Sequence, residues 1–79
     1  MLFHAASYDL PENAQVTLSI YDILGEQIKT LLNQFQDVGN KRAVWNGTDN
    51  LDRPVSAGVY LYRIEAGEFT QRRKILLLK

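Results

Sequence analysis

The sequence predicts an all-β domain built as an antiparallel sandwich of short strands. Its 79 residues give room for a single domain, and 46% of them are apolar, an ordinary share for a folded chain. Strand-like segments recur at intervals of about ten residues with turn-forming residues between them, which is typical of all-β sandwiches. We therefore expect residues 1–79 to form one sandwich domain.

The clearest alternation lies in Gln15–Tyr21, directly after a turn predicted from the Pro, Asn and Asp residues of Asp9–Asn13. Val16, Leu18 and Ile20 alternate there with polar residues. A period of two with β-branched side chains indicates a half-buried strand.

The segment that follows has two interpretations. Residues 22–26 form a short connection in which Gly25 can supply a positive φ. Apolar residues then recur at helical spacing, which by itself favours an amphipathic helix over residues 26–36. The alternative is a strand with a bulge near Thr30. The apolar residues concerned are Ile28, Leu31, Leu32 and Phe35.

A turn at residues 37–40 precedes a short strand, Lys41–Trp45, in which Ala43 and Trp45 share one face. Residues 46–54 are the most loop-like part of the chain, because Asn, Gly, Asp and Pro dominate them.

The strongest strand signal begins at Gly58. Residues Val59–Glu65 are substantially apolar on both faces, which predicts a central position in a sheet. After a turn at residues 66–68, Phe69–Leu78 is expected to pair back antiparallel as the last strand.

Composition excludes several classes of function. Nine basic residues balance nine acidic ones, so the excess of cations that non-specific nucleic-acid binding needs is missing. No cysteine is available for a disulfide or a thiolate metal site. No apolar run approaches the ~20 residues of a membrane span. The first residues lack the pattern of a signal peptide, so we expect any export signal of a parent protein to lie outside this sequence.

Catalytic residue types are also scarce. His4 is the only histidine, and a nucleophilic triad would need it to be held by a buried acid near the start of the chain. One histidine without cysteine cannot form the usual zinc sets. Glu65 and Glu68 flank a predicted turn and should be solvated. We predict that the chain is not an enzyme and has no cofactor.

Asp49, Asn50 and Asp52 form an acidic cluster in the long loop. Their oxygens could begin a calcium site, although such a site needs roughly six to eight ligands. The alternative is an Asx-type turn, in which the carboxylates accept hydrogen bonds from backbone amides.

The large aromatic residues also have two interpretations. Exposed on one face, Trp45, Tyr21, Tyr60 and Tyr62 could stack against sugars. The favoured alternative is that Trp45 and a strand tyrosine fill a thin sandwich core.

The last strand is the candidate partner-binding segment. Its basic residues suit an anionic partner or protect a sheet edge from aggregation. Its four consecutive apolar residues cannot all face one core, so some of them suit docking or a homodimer formed through this strand. The candidate residues are Arg72, Arg73, Lys74, Ile75, Leu76, Leu77, Leu78 and Lys79.

The order of these motifs resembles two related families, over residues 8–79. These are the C-terminal sorting domain of type IX secretion cargo and the immunoglobulin-like domain of the flagellar hook-capping protein. The segments that carry the resemblance are Tyr8–Pro11, Val16–Asp22, Leu24–Gly25, Trp45–Asp49, Gly58–Ile64 and Lys74–Lys79.

The resemblance implies an immunoglobulin-like antiparallel sandwich of about seven strands without a helix, and so favours a strand over residues 26–33. Two departures matter. Residues 3–6 stand where members of these families often carry an Asn-Pro-rich stretch, so we expect residues 1–7 to be poorly ordered or extraneous to the domain. Asp52 stands where the family often has Gly, and aspartate tolerates the left-handed region.

Three functions follow as hypotheses. The first is a sorting and anchoring module of a larger bacterial protein that is secreted or held at the cell surface, with the secretion machinery as its partner. The second is a structural interaction or spacer domain, as in hook-capping proteins, that docks neighbouring domains. The third is a carbohydrate-binding module.

Overall fold

The computed structural model describes residues 4–78, which form two antiparallel sheets packed face to face. One sheet has the strand order β1-β4 and the other the order β3-β2-β5-β6. The all-β sandwich is thereby confirmed, with six strands among the described residues rather than about seven. The strands are β1 His4–Leu10, β2 Ala14–Tyr21, β3 Gln27–Gln36, β4 Gly39–Trp45, β5 Gly58–Ala66 and β6 Phe69–Leu77.

One apolar core lies between the two sheets, and every strand except β3 places at least one buried side chain in it. Trp45 is the largest of these and is inaccessible to solvent. Burial of such side chains is the main stabilising contribution in a domain of this size. The buried apolar residues are Ala6, Tyr8, Leu10, Val16, Leu18, Ile20, Trp45, Tyr60, Tyr62, Ile64, Ala66, Ile75 and Leu77.

Strands β2 and β5 confirm the alternation predicted from sequence. Val16, Leu18 and Ile20 are all fully buried, as expected of one face of a half-buried strand. Strand β5 lies between β2 and β6, which confirms its central position. Its inward residues alternate with outward ones, so the apolar residues on its second face point away from the core.

Strand β3 confirms the strand interpretation of residues 26–36 against the helical spacing. Its register with β2 shifts twice, and each shift leaves one residue of β3 without a partner, first Leu31 and then Ile28. A bulge turns neighbouring side chains towards the same face. Ile28, Leu31 and Leu32 therefore all pack against the core, and the two bulges account for a spacing that imitates a helix.

Strand β1 begins earlier than the sequence suggested. His4 already pairs with Trp45, and the register continues without interruption to Leu10 opposite Gly39. The expectation that residues 1–7 lie outside the ordered domain is thus wrong for residues 4–7, because Ala6 is fully buried against the core. Residues 1–3 lie outside the described residues. Within residues 4–78 no helix is long and apolar enough to cross a membrane.

Candidate interaction surface

The last strand divides its residues between the core and the solvent. Ile75 and Leu77 are 6% and 2% exposed, whereas Leu76 and Leu78 are 48% and 51% exposed. Side chains alternate across a strand, so the consecutive apolar residues at the end of β6, with Leu78 directly after it, supply both faces of the sheet. The candidate partner-binding set therefore splits: Ile75 and Leu77 belong to the core, and Lys79 lies outside the described residues.

The outward residues of β6 face equivalent residues of β5. Leu76 pairs with Val59, Lys74 with Leu61, and Arg72 with Arg63. On the other side of β5, Tyr21 of β2 pairs with Leu61. We call these seven side chains the outer face: Tyr21, Val59, Leu61, Arg63, Arg72, Lys74 and Leu76.

Arg63 occupies the middle of the outer face. Its Nη2 donates to the Tyr21 hydroxyl at 2.6 Å and lies 3.1 Å from Glu65 Oε1. The guanidinium carbon lies 4.8 Å from the centroid of the Tyr21 ring, a cation–π contact. Among the described residues no acceptor reaches the buried Nε of Arg63. A half-buried guanidinium is thus held in a fixed orientation by Tyr21 and Glu65, with its buried Nε unpaired.

The other two cations of the outer face, Arg72 and Lys74, form no ion pair with a side chain of residues 4–78. The outer face thus carries three cations and no carboxylate, and Glu65, next to it on β5, is the one acidic residue in β5 and β6. A depression of about 260 Å³ opens beside them and is lined by Tyr21, Gly25, Leu61, Arg63 and Arg72.

Arg73 belongs to a different surface. It pairs with Tyr62, on the inward side of β6, and lies at the margin of the sandwich. It borders an open depression together with residues of β1 and β4, among them Ser7 and Arg42. Of the predicted basic cluster, only Arg72 and Lys74 share a face with the exposed apolar residues.

The acidic loop forms the Asx-type turn. Asp49 Oδ1 accepts from the backbone amides of Leu51 at 2.9 Å and Arg53 at 3.0 Å, and Oδ2 accepts from Arg53 Nε at 3.0 Å. The bond from the Arg53 amide is the largest cause that lowers the pKa of Asp49 below its ordinary value. No group of three or more His, Cys, Asp or Glu side chains within residues 4–78 is arranged to hold a metal ion.

The remaining members of the cluster attach the loop to β3. Asn50 donates its backbone amide to Ile28 O at 3.2 Å and accepts from the Thr30 amide through Oδ1 at 3.0 Å. These bonds cover part of the free edge of β3, which would otherwise present unpaired backbone groups. Asp52 has a φ of 61°, as expected for a residue in place of glycine, and its Oδ1 lies 3.4 Å from Lys29 Nζ.

The aromatic residues mostly fill the core. Trp45 and Tyr60 pack edge to face with their centroids 5.1 Å apart, and Tyr62 is also buried. Trp45 Nε1 donates to Thr48 O at 2.9 Å. Tyr21 stays half-buried, with Arg63 over its ring. The core interpretation is confirmed for Trp45, Tyr60 and Tyr62, and these rings offer no platform for sugar stacking.

Sequence reasoning missed Arg63, Val59 and Leu61 as surface residues. The signal was present, because the apolar character of both faces of β5 was recognised and explained only by a central position. A central strand in a two-layer sandwich still has one face towards solvent. Lys29 was also missed; its Nζ donates to Thr48 Oγ1 at 2.9 Å and to Asp49 O at 3.3 Å, which holds the long loop.

The six strands in two antiparallel sheets define a small immunoglobulin-like sandwich. The chain belongs to the FlgD Ig-like domain family, whose model matches residues 4–68. That family is one of non-enzymatic hook-capping scaffolds.

A solved structure of FlgD from P. aeruginosa has the same fold, with a TM-score of 0.79 and 22% sequence identity. The match covers 95% of this chain and 60% of the FlgD chain, so this chain spans less than two thirds of that relative. A search of curated protein sequences found no significant match.

These comparisons support the hook-capping half of the resemblance and give no support to a type IX sorting domain. The expected location, secreted or at the cell surface, is wrong because it rested on the sorting interpretation, whereas the matching family is the FlgD Ig-like domain.

Proposed function

We propose that this domain is a non-catalytic structural interaction module of a FlgD-like hook-capping protein. The observation that carries the proposal is the match of residues 4–68 to the FlgD Ig-like domain, together with a fold that matches FlgD of P. aeruginosa. The domain supplies a rigid sandwich that positions neighbouring parts of the assembly through its exposed surface.

The internal bonding supports a scaffold role. The hydroxyls of Tyr60 and Tyr62 donate to the backbone oxygens of Ser56 and Ser7, at 2.6 Å and 3.0 Å. His4 Nε2 accepts from the Leu78 amide at 3.2 Å, which ties the end of β6 to the start of β1. Groups that could carry chemistry are used to connect strands and loops.

The test is a domain exchange in FlgD of P. aeruginosa. A strain that lacks FlgD receives FlgD whose Ig-like domain is replaced by residues 4–78, and hook assembly is counted by electron microscopy. We expect the chimera to restore hooks and a FlgD without any Ig-like domain to fail. Full restoration by the domain-free protein, or failure of a chimera that is folded and exported, would overturn the proposal.

A further inference from the structure

The outer face departs from the usual pattern of a two-layer sandwich. The solvent side of such a sheet normally carries polar residues. Here Val59, Leu61 and Leu76 are 41%, 36% and 48% exposed and lie side by side across β5 and β6. A contiguous exposed apolar patch rimmed by polar residues is a candidate contact surface.

The charged side chains of the outer face indicate which kind of partner would bind there. Arg63 and Arg72 are directly opposite each other in the β5–β6 register, and like charges in such a pair destabilise a sheet. Lys74 adds a third cation next to the apolar residues. A carboxylate placed between these side chains would remove the repulsion and could bind bidentately to a guanidinium.

We infer that the outer face docks a partner protein segment that carries acidic side chains next to apolar ones. The carboxylates pair with Arg63 and Arg72, and the apolar side chains cover Leu61, Val59 and Leu76. Tyr21 and Glu65 keep the Arg63 guanidinium in position beside this face. The inference rests on the proposed function, because it names the partner chemistry of an interaction module.

A second copy of the chain fits this face poorly. Two outer faces placed together would bring three cations against three, with only Glu65 of each copy to compensate. An acidic–apolar segment has the complementary charge, and complementary charge also speeds association.

The probe is the peptide acetyl-Glu-Leu-Leu-Glu-amide, titrated into the ¹⁵N-labelled chain and followed by amide chemical shifts. We expect saturable shifts confined to β5 and β6 around Leu61, Arg72 and Leu76, with a Kd of about 1 mM, as suits a short weak ligand. The neutral peptide acetyl-Gln-Leu-Leu-Gln-amide and the apolar-free acetyl-Glu-Ser-Ser-Glu-amide should each bind at least about fivefold more weakly.

Matched variants locate the site. The double variant Arg72→Gln/Lys74→Gln should weaken peptide binding about tenfold, because it removes two of the three cations that attract the carboxylates. Leu76→Ser should weaken binding about threefold, because it removes one of the apolar side chains that the peptide covers. Arg42→Gln, an exposed arginine on the other sheet, should leave binding unchanged. Folding of every variant is checked by its amide spectrum, so loss of binding is separated from loss of structure.

The inference is overturned by equal binding of the three peptides, by shifts that lie elsewhere, or by no saturation up to about 10 mM. It is also overturned if sedimentation shows self-association through this face, or if the chain binds phosphatidylserine vesicles in preference to the acidic peptide. The two proposals can fail separately. If the chimeric FlgD builds hooks but the domain does not bind the peptide, only this inference is refuted. If the domain binds the peptide but the chimera builds no hooks, only the hook-capping role is refuted.

Discussion

Replacement of Gly47 by alanine tests how the long loop is joined to the last strand. Gly47 is buried, has a φ of 77°, and a Cβ built on it would lie 3.0 Å from Leu77 Cδ1 and 3.3 Å from Cδ2. A non-glycine residue in the left-handed region costs about 1–2 kcal/mol. An extra methyl group against a packed side chain costs about 1–3 kcal/mol. We expect Gly47→Ala to lower the free energy of unfolding by about 3 kcal/mol.

Gly25→Ala is the matched control. Gly25 has a φ of 86°, but a methyl group added there would meet no atom within 4 Å beyond its chain neighbours. Only the backbone cost of about 1–2 kcal/mol therefore applies to it. For a domain of this size each kcal/mol lowers the Tm by about 4–8 °C, so the two variants should differ clearly in thermal unfolding. The fluorescence of Trp45, which is fully buried and the only tryptophan, reports the transition.

A double-mutant cycle isolates the contact. In a Leu77→Ala background the methyl groups that face residue 47 are gone, so Gly47→Ala should cost no more than Gly25→Ala does in the parent chain. If Gly47→Ala and Gly25→Ala cost the same in the parent chain, or if Leu77→Ala brings no relief, the proposed steric contact between loop and strand is refuted.

Three further predictions concern groups with defined partners. The carboxylate of Asp49 has a lowered pKa, so its stabilising contribution is present above the unfolded pKa of about 4 and is lost as the pH falls below it. Asp49→Asn should flatten the acid dependence of the free energy of unfolding, measured by urea titration between about pH 5 and pH 2; an unchanged slope would contradict this. Lys29→Met removes the donor that holds the long loop and should cost about 1–2 kcal/mol, with faster amide exchange in residues 46–54 than elsewhere. Uniformly faster exchange would show that Lys29 acts on the whole domain. Burial raises the pKa of Tyr60, with the charge of Asp22 as a smaller cause, so the neutral phenol stabilises the fold below about pH 10 and this contribution is lost as the pH rises further. Tyr60→Phe should reduce the alkaline loss of stability measured by circular dichroism, whereas an identical alkaline profile would refute the assignment.

Local alternation predicted most of the fold because each of the strands β2 and β5 keeps a strict period of two on its buried face. Val16, Leu18 and Ile20 could be placed from the sequence alone for this reason. The same reasoning misled at β3, where pattern and structure agree only once the bulges at Ile28 and Leu31 are known. A bulge depends on the register with a partner strand, which lies elsewhere in the chain, so no local pattern contains it.

The surface was harder to predict than the core. The basic and apolar residues of the last strand were recognised as a segment, but their division between two faces depends on which residue of β6 lies opposite which residue of β5. Once Arg72 is known to face Arg63, Lys74 and Leu76 fall on the same side. The contacts of Arg63 could not be predicted from the sequence, even though its place on the second face of β5 could, because they are made with Tyr21 and Arg72 on neighbouring strands.

The opposed arginines allow a test that separates binding from stability. Like charges directly opposite on two strands cost about 0.2–1 kcal/mol, so Arg72→Thr should stabilise the free domain by about 0.5 kcal/mol while it weakens binding of the acidic–apolar peptide. Arg42→Thr is the control, because Arg42 is also an exposed strand residue but lies opposite Ser7 rather than a cation. Urea unfolding and peptide titration are measured on both variants. If Arg72 served only the fold, its removal would not stabilise the domain. If it is kept for contact with a partner, we expect it to lower the stability of the domain when the partner is absent. Equal stability changes in the two variants, or unchanged peptide binding by Arg72→Thr, would show that the opposed pair has no such role.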